Sequence, residues 1–232
     1  MKTRDRLATF NLLTRKHLVR GAWCVTALLT SGCGAARSPE DQGPKPVPTI
    51  PLPTAGIAGQ PVSLFPLTLI AAEDSLKWET LIHDRRANLA RADSVIDELL
   101  AARAPEVTWI MPKELRSAAR RAIGIATEPD QMGTSVLRDE RLEIVPDPLR
   151  TQLRSLNALA GGRFAIIPAA LIYKRRVVGR TEGRPEATAE LSIVMVDVRL
   201  GRVVWRTVAR GLGADPWSSL TGAVKALTPG VP

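Results

Sequence analysis

Between Ala189 and Gly211 the chain alternates twice. Leu191, Ile193 and Met195 recur at every second position. So do Val203, Trp205, Thr207 and Ala209, with Arg202, Arg206 and Arg210 on the opposite face. A period of two marks strands with one buried side. Asp197-Val198-Arg199-Leu200-Gly201 joins the two runs, and a glycine ending so short a connection supplies the positive φ of a bulged turn. This pattern predicts a β-hairpin over 189–210, with Trp205 toward the core and the three arginines toward water.

The rest of the folded part alternates between helical and strand signals. Val62–Ile70 is a strand candidate interrupted by Pro66, which removes a ladder donor and implies an edge or bulge. His83–Arg103 carries Leu89, Ala92, Ile96, Leu99 and Arg103 at helical spacing, and Ala104-Pro105 closes it. Val107–Met111 is a short apolar strand. Pro112 opens a helix at its first turn, where a missing N–H costs nothing. Residues 127–146, with Pro129, Gly133 and a charged run at 138–141, predict a loop. Asp147-Pro148 starts a helix whose stripe is Leu149, Leu153, Leu156 and Ala160, and Gly161-Gly162 stops it. Arg163–Tyr173 is a largely apolar strand. After the hairpin, Asp215-Pro216 caps a closing helix with Trp217, Leu220, Val224 and Leu227 on one side. The expected fold is therefore a single α/β sandwich domain over 62–228, a mixed β-sheet flanked by helices.

The preceding residues read as an address. Met1–Arg20 is basic, Gly21–Thr30 is apolar but too short to span a bilayer, and Ser31 and Gly32 are small. That order is a secretory signal over 1–32. The formal net charge is +9, but residues 1–32 hold six basic residues and one acidic residue. The remainder has 26 basic and 22 acidic residues with no long basic run, which argues against a nucleic-acid partner. Seven prolines between 37 and 61 bias the backbone toward extended forms. Residues 33–61 are accordingly expected to be a semi-rigid tether.

Leu29-Thr30-Ser31-Gly32-Cys33 resembles a bacterial lipobox, in which the cysteine is lipidated and becomes the first mature residue. Thr30 stands where that pattern usually has Leu. A competing cleavage site follows Gly34-Ala35-Ala36. Cysteine usage favours lipidation: Cys24 lies in the apolar run, so export leaves Cys33 alone, and an unused thiol is a liability in an oxidising compartment. Lipidation there implies an anchored envelope protein facing the periplasm, with Gly34 leaning toward the outer membrane.

Val194–Trp205, a strand ending in Asp, a Gly turn and an apolar strand ending in Trp, is similar to a pattern in envelope lipoproteins of the TolB amino-terminal and CsgG-like group. Gly162-Arg163-Phe164-Ala165-Ile166-Ile167 resembles the strand that precedes it there. The resemblance covers about 62–228 by element order. It implies an α/β module that acts by binding another envelope protein. No β-propeller follows the domain, and there is no pair of long alternating hairpins for membrane insertion, so neither a whole TolB nor a CsgG-type pore is implied.

Sequence motifs for chemistry are few. Export leaves His83 as the one histidine, which excludes histidine-centred triads and His-rich metal sites. Phosphate-loop and nucleophile-elbow patterns are absent from the sequence. Glu73-Asp74, Asp97-Glu98 and Asp139-Glu140 are adjacent pairs whose side chains diverge, as solvated surface does. Lys174-Arg175-Arg176 is read as a solvated strand end. No catalytic residue, cofactor or metal is assigned. The expected function is a non-catalytic envelope adaptor whose domain binds another envelope protein. A carboxylate-based hydrolase on envelope polymers and a small-ligand-binding domain stay open as alternatives. Lipidation is tested by mass spectrometry of the membrane fraction: a diacylglyceryl-modified Cys33 is expected, lost in Cys33→Ser. A water-soluble product beginning after Ala36 would contradict it.

Overall fold

The computed structural model describes residues 48–78, 82–176 and 187–229. The signal segment, Cys24, Cys33 and the tether before Pro48 lie outside them. Six strands form one mixed sheet: β1 (Pro61–Leu64), β2 (Ile70–Ala72), β3 (Thr108–Ile110), β4 (Phe164–Arg175), β5 (Ala187–Asp197) and β6 (Arg202–Gly213). The order is β3-β1-β4-β5-β6, and β2 pairs with β4 beyond the end of β1. Pairings of β1 with β3 and of β1 and β2 with β4 are parallel, whereas β4-β5-β6 is antiparallel. This is the mixed α/β sheet that the element order predicts.

Helices fill both faces. After a single turn, α1 (Thr54–Ile57), come α2 (Arg85–Arg103), α3 (Pro112–Arg121), α4 (Leu149–Ala160) and α5 (Pro216–Leu227). The crossover from β1 to β3 lays α2 on one face, where Ala92, Ile96 and Leu100 join α5 and the inward side of the hairpin in one core cluster. The return from β3 to β4 lays α3 and α4 on the other face, around Leu115, Leu153 and Leu156. Three helices, α2, α3 and α5, start at a readable signal. The Asp84 carboxylate accepts from the Ala87 N–H at 3.0 Å, and Asp215 accepts from the N–H groups of Trp217 and Ser218 at 2.9 and 3.0 Å. Pro112 occupies the first turn of α3, and Glu114 reaches back to the Met111 N–H at 3.0 Å. Gly161 ends α4 at φ +90°, the left-handed cap glycine adopts without strain.

Four features differ from the sequence pattern. The strand expected over 62–70 is two strands, because Pro66 has no N–H to pair and the chain leaves the sheet over 65–69. The hairpin carries a bulge: Met195 faces Trp205 but Val196 faces Val203, so Val204 is the extra residue. Val203 therefore packs with the cluster under α4, while Trp205 packs half-buried on the opposite side. The region 127–146 is built into the core by two 3-10 turns, Pro129–Gln131 and Thr134–Arg138, with Met132, Leu137 and Val145 buried. Finally, residues 48–61 of the proline-rich stretch pack on the domain. Leu52 and Ile57 are buried, and the Leu52 N–H donates to the Leu227 carbonyl at 2.8 Å.

The closing helix lies so near β6 that backbone meets backbone. A Cβ at Gly211 would overlap Ala223 N and Ser219 O, and one at Gly213 would crowd Ser218 and Ser219. No rotamer relieves an overlap with backbone, so glycine here is a packing requirement. Gly211→Ala is expected to destabilise by about 2–3 kcal/mol, as overpacking does. Gly222→Ala, whose Cβ would lie 3.1 Å from Gly211 Cα, should cost less. Urea melts check this, and equal midpoints for Gly211→Ala and wild type would refute the close contact.

Candidate functional site

The sequence-predicted residues do not converge on one centre. Cys33, the assigned lipidation site, lies outside the described residues. His83 is exposed just before the cap of α2, and Gly161-Gly162 is the helix stop. The Glu73 carboxylate accepts the Arg175 backbone N–H at 2.9 Å, and the Asp139 carboxylate accepts the Arg141 N–H at 3.0 Å. Lys174 pairs with Glu190 at 2.7 Å, and Glu190 also takes Arg210 Nε at 3.1 Å. Lys174, Arg175 and Arg176 are all exposed, as a solvated strand end is. Among the described residues, no group of three or more His, Cys, Asp or Glu side chains has a metal-holding arrangement.

One pair departs from the solvated reading. Asp97 is half-buried, one turn along α2 from buried Asp93, and its Oδ1 has no partner. Asp93, with its side chain 6% exposed, accepts from the Leu67 N–H at 2.8 Å and from Arg116 at 2.6 Å. Arg116 reaches on to Asp130 at 2.7 Å. One guanidinium thus ties α2, α3 and the first 3-10 turn together, and Asp93 holds the segment that leaves the sheet after β1. Sequence reasoning missed this cluster. The one available signal was Asp93 and Asp97 at i, i+4 on a helix otherwise patterned for burial.

Burial pushes the Asp93 carboxyl up, against the Leu67 N–H and the Arg116 guanidinium that pull it down. Burial and then the nearby Asp93 push Asp97 up to about 7. The folded state holds the Asp97 proton more tightly than the unfolded chain, so this contribution to stability is full below about pH 4 and is lost as pH rises through about 7.

The most apolar of the surface concavities lies on the hairpin. The face of β5 and β6 turned away from α2 and α5 is covered at one end by α4 and the 3-10 turns. Beyond that cover a groove of about 220 Å³ runs over Val194 and Val208, walled by Ile50 and Leu137 and rimmed by Arg138 and Arg206. Arg206 crosses the gap to donate to the carbonyls of Asp139 and Leu142, so the far wall is fixed to the sheet. The sequence pattern sends Arg206 and Arg210 to open water. The structure instead gives each a partner: Arg206 donates to carbonyls of the 139–142 segment that lies over this face, and Arg210 pairs with the cross-strand Glu190.

Beside the groove, β6 is the last strand of the sheet among the described residues. Its outer edge is bonded near the turn, where the Val203 N–H donates to the Glu143 carbonyl at 2.9 Å and Ile144 bridges Arg202. Farther along, Thr49 Oγ1 donates to the Val208 carbonyl at 3.3 Å, which places that carbonyl on the side away from β5. The N–H of the same residue points the same way. Leu212, 51% exposed, lies farther along the strand. A long edge with apolar side chains is a template for another strand.

The buried cluster makes the sharper physical prediction. Asp97→Asn should melt higher than wild type at pH 8, by roughly 1 kcal/mol after allowance for solvent screening. The advantage should vanish near pH 4. An advantage independent of pH would show that Asp97 does not titrate in this window.

No family model matches this chain, and no curated protein matches it. Among solved structures, the chain is similar to the LpoB C-terminal domain from Salmonella enterica, at 14% identity over 67% of this chain and 83% of that one, with a TM-score of 0.31. It is similar to the PelC dodecamer from Paraburkholderia phytofirmans, at 14% identity over 78% of this chain and 94% of that one, with a TM-score of 0.34. It is also similar to the lipoprotein GNA1162 from Neisseria meningitidis, at 12% identity over 66% of this chain and 83% of that one, with a TM-score of 0.31.

Proposed function

We propose that this chain is a non-catalytic envelope lipoprotein, held at the outer membrane by a lipid on Cys33 and facing the periplasm, whose α/β domain binds another envelope protein. The observation that carries the reading is the edge of β6, which among the described residues pairs with no further strand, beside an apolar groove. An extended segment of a partner adds there as a strand, displacing the Thr49 hydroxyl from the Val208 carbonyl: its backbone bonds to the outward groups of Val208, and its alternate side chains fill the groove over Val194 and Val208. Arg138 and Arg206 on the rim favour acidic residues flanking that segment. Ile50 already approaches this edge, its N–H donating to Thr207 Oγ1 at 2.7 Å, so extended chain is sterically accepted.

The lipobox-like run before Cys33, the proline-rich stretch and the resemblance of the hairpin pattern to TolB amino-terminal and CsgG-like lipoproteins support the same reading. The hydrolase alternative is less well supported. Asp93 and Asp130, which do come together, are both held by Arg116 rather than arranged around a cleft. The groove likewise favours a segment lying along it over an enclosed small ligand.

Val208→Pro tests the mode of binding. Proline removes only an edge-facing N–H at this position, a change tolerated on edge strands. With a photo-crosslinker at Leu212, the anchored wild-type protein should capture a specific envelope protein in cells. Val208→Pro should lose that product while keeping its fold by circular dichroism. Equal capture by the proline variant would rule out strand addition at this edge.

A further inference from the structure

The turn that follows α3 holds two large apolar side chains out of the domain. Ile123 is 87% exposed and Ile125 is 73% exposed, on either side of Gly124. Hydrogen bonds fix this turn. The Ile125 and Ala126 N–H groups both donate to the Ala122 carbonyl at 3.0 Å, and Gly124 supplies a positive φ of +82°. A Cβ at Gly124 would meet nothing within 4 Å, so the tip stands clear of the rest of the domain. Single apolar side chains at a surface are ordinary, whereas neighbouring ones held outward mark a contact.

The same end of the domain carries more of this surface. Arg121 lines one concavity with the start of β3 and with exposed Leu159 in the last turn of α4, so both helices finish at the end of the sheet where β4 begins. The β5–β6 turn arrives there too. The Val198 N–H donates to the Arg163 carbonyl at 3.1 Å, and Leu200 is exposed. Positive charge dominates this end. Arg120 and Arg121, just before the isoleucines, are exposed, and Arg121 donates to Ser117 Oγ at 2.8 Å. Arg154 on α4 donates to the carbonyl of Arg199 in the turn at 3.2 Å. Among the described residues, none of these four arginines pairs with a carboxylate. Buried Asp197 is matched by Arg163 at 2.8 Å, and the four outweigh exposed Glu106 before β3 and half-buried Glu128 after the tip.

We propose that this end of the domain docks on an anionic lipid surface, with Ile123 and Ile125 inserted below the headgroups and Arg120 and Arg121 on lipid phosphates. Apolar tips beside guanidiniums supply the two parts of interfacial binding, buried apolar area and attraction to anionic lipid. Arginine stems are long enough to leave their heads among the phosphates while the isoleucines lie deeper. The tip projects beyond the end of α3 instead of lining a groove. That shape enters a fluid interface readily and offers a folded protein little to pack against. The contact rests neither on a lipid at Cys33 nor on strand addition at β6.

The test places a polarity-sensitive fluorophore on Ile123→Cys in the full chain. The unsubstituted chain, treated alike, is the blank, and a label on Leu212→Cys, at the other end of β6, is the control. Vesicles of phosphatidylcholine, with and without phosphatidylglycerol, carry brominated acyl chains that quench only what enters the bilayer. The label reports the tip and not retention of the chain, so its reading is the same with or without a lipid on Cys33. All the substituted side chains are exposed, so an unchanged melting temperature shows that each variant is folded. Support is quenching at 123 but not at 212 with phosphatidylglycerol present, and a ratio of docked to undocked label at least about tenfold lower in Arg120→Gln/Arg121→Gln. A label at 123 that stays in water, quenching that phosphatidylcholine alone matches, or quenching unchanged by the double substitution overturns the proposal. So does shielding in whole envelope membranes but in neither kind of vesicle, which assigns the tip to a protein.

Discussion

The domain depends on β4. That strand is paired along both edges, with β1 and β2 on one side and β5 on the other, and nearly all its residues from Ala165 to Tyr173 are fully buried. Only a run as apolar as Phe-Ala-Ile-Ile-Pro-Ala-Ala-Leu-Ile can occupy such a place without stranding polar side chains. Its two edges set the rest. The parallel side requires crossover connections, which deliver α2 to one face and α3 and α4 to the other. On the antiparallel side the short turn at 198–201 joins β5 to β6, which leaves the hairpin projecting to the rim of the sheet. The central proline is accommodated by a bulge, as the register shifts between Pro168 and Ala170.

Much of this was legible in the residues. Helix starts at Asp84, Pro112 and Asp215 and the stop at Gly161 are local chemistry, and local chemistry is read from short windows. Period-two alternation likewise located both strands of the hairpin. Features set by distant partners were not legible. Val203 and Trp205 lie two apart and should share a face, yet one extra residue at Val204 sends them to opposite cores, and nothing nearby announces it. The stretch 127–146 has the composition of a loop because its backbone is irregular. Its buried Met132, Leu137 and Val145 show no period, since three-residue turns impose none.

The candidate sites follow the same division. The groove is made by folding the Thr134–Arg138 turn back over β5 and β6, some 60 residues distant in sequence, so no linear motif could mark it. The Asp93–Arg116–Asp130 cluster joins three elements in the same way, and its members read as ordinary helix-surface charges until α2 and α3 are placed together. Burial then reverses their role. Asp93 anchors the chain where it leaves β1, and the neighbouring carboxylate of Asp97 is left to hold a proton. The hairpin turn shows the converse case: Asp197 and Gly201 were prominent in the sequence pattern, and they serve to hold Arg163 and the turn itself.

The groove, the outer edge of β6 and the approach of Ile50 belong to one region of the sheet, which a partner strand is proposed to complete. Amide hydrogen exchange in β6 tests this most directly, comparing the purified protein with its complex recovered from membranes. The outward N–H groups of Arg206, Val208 and Leu212 should slow markedly in the complex, while those of Thr207 and Ala209, which face β5, change little. Outward amides that exchange equally fast in both states, with a stable partner bound, would contradict it.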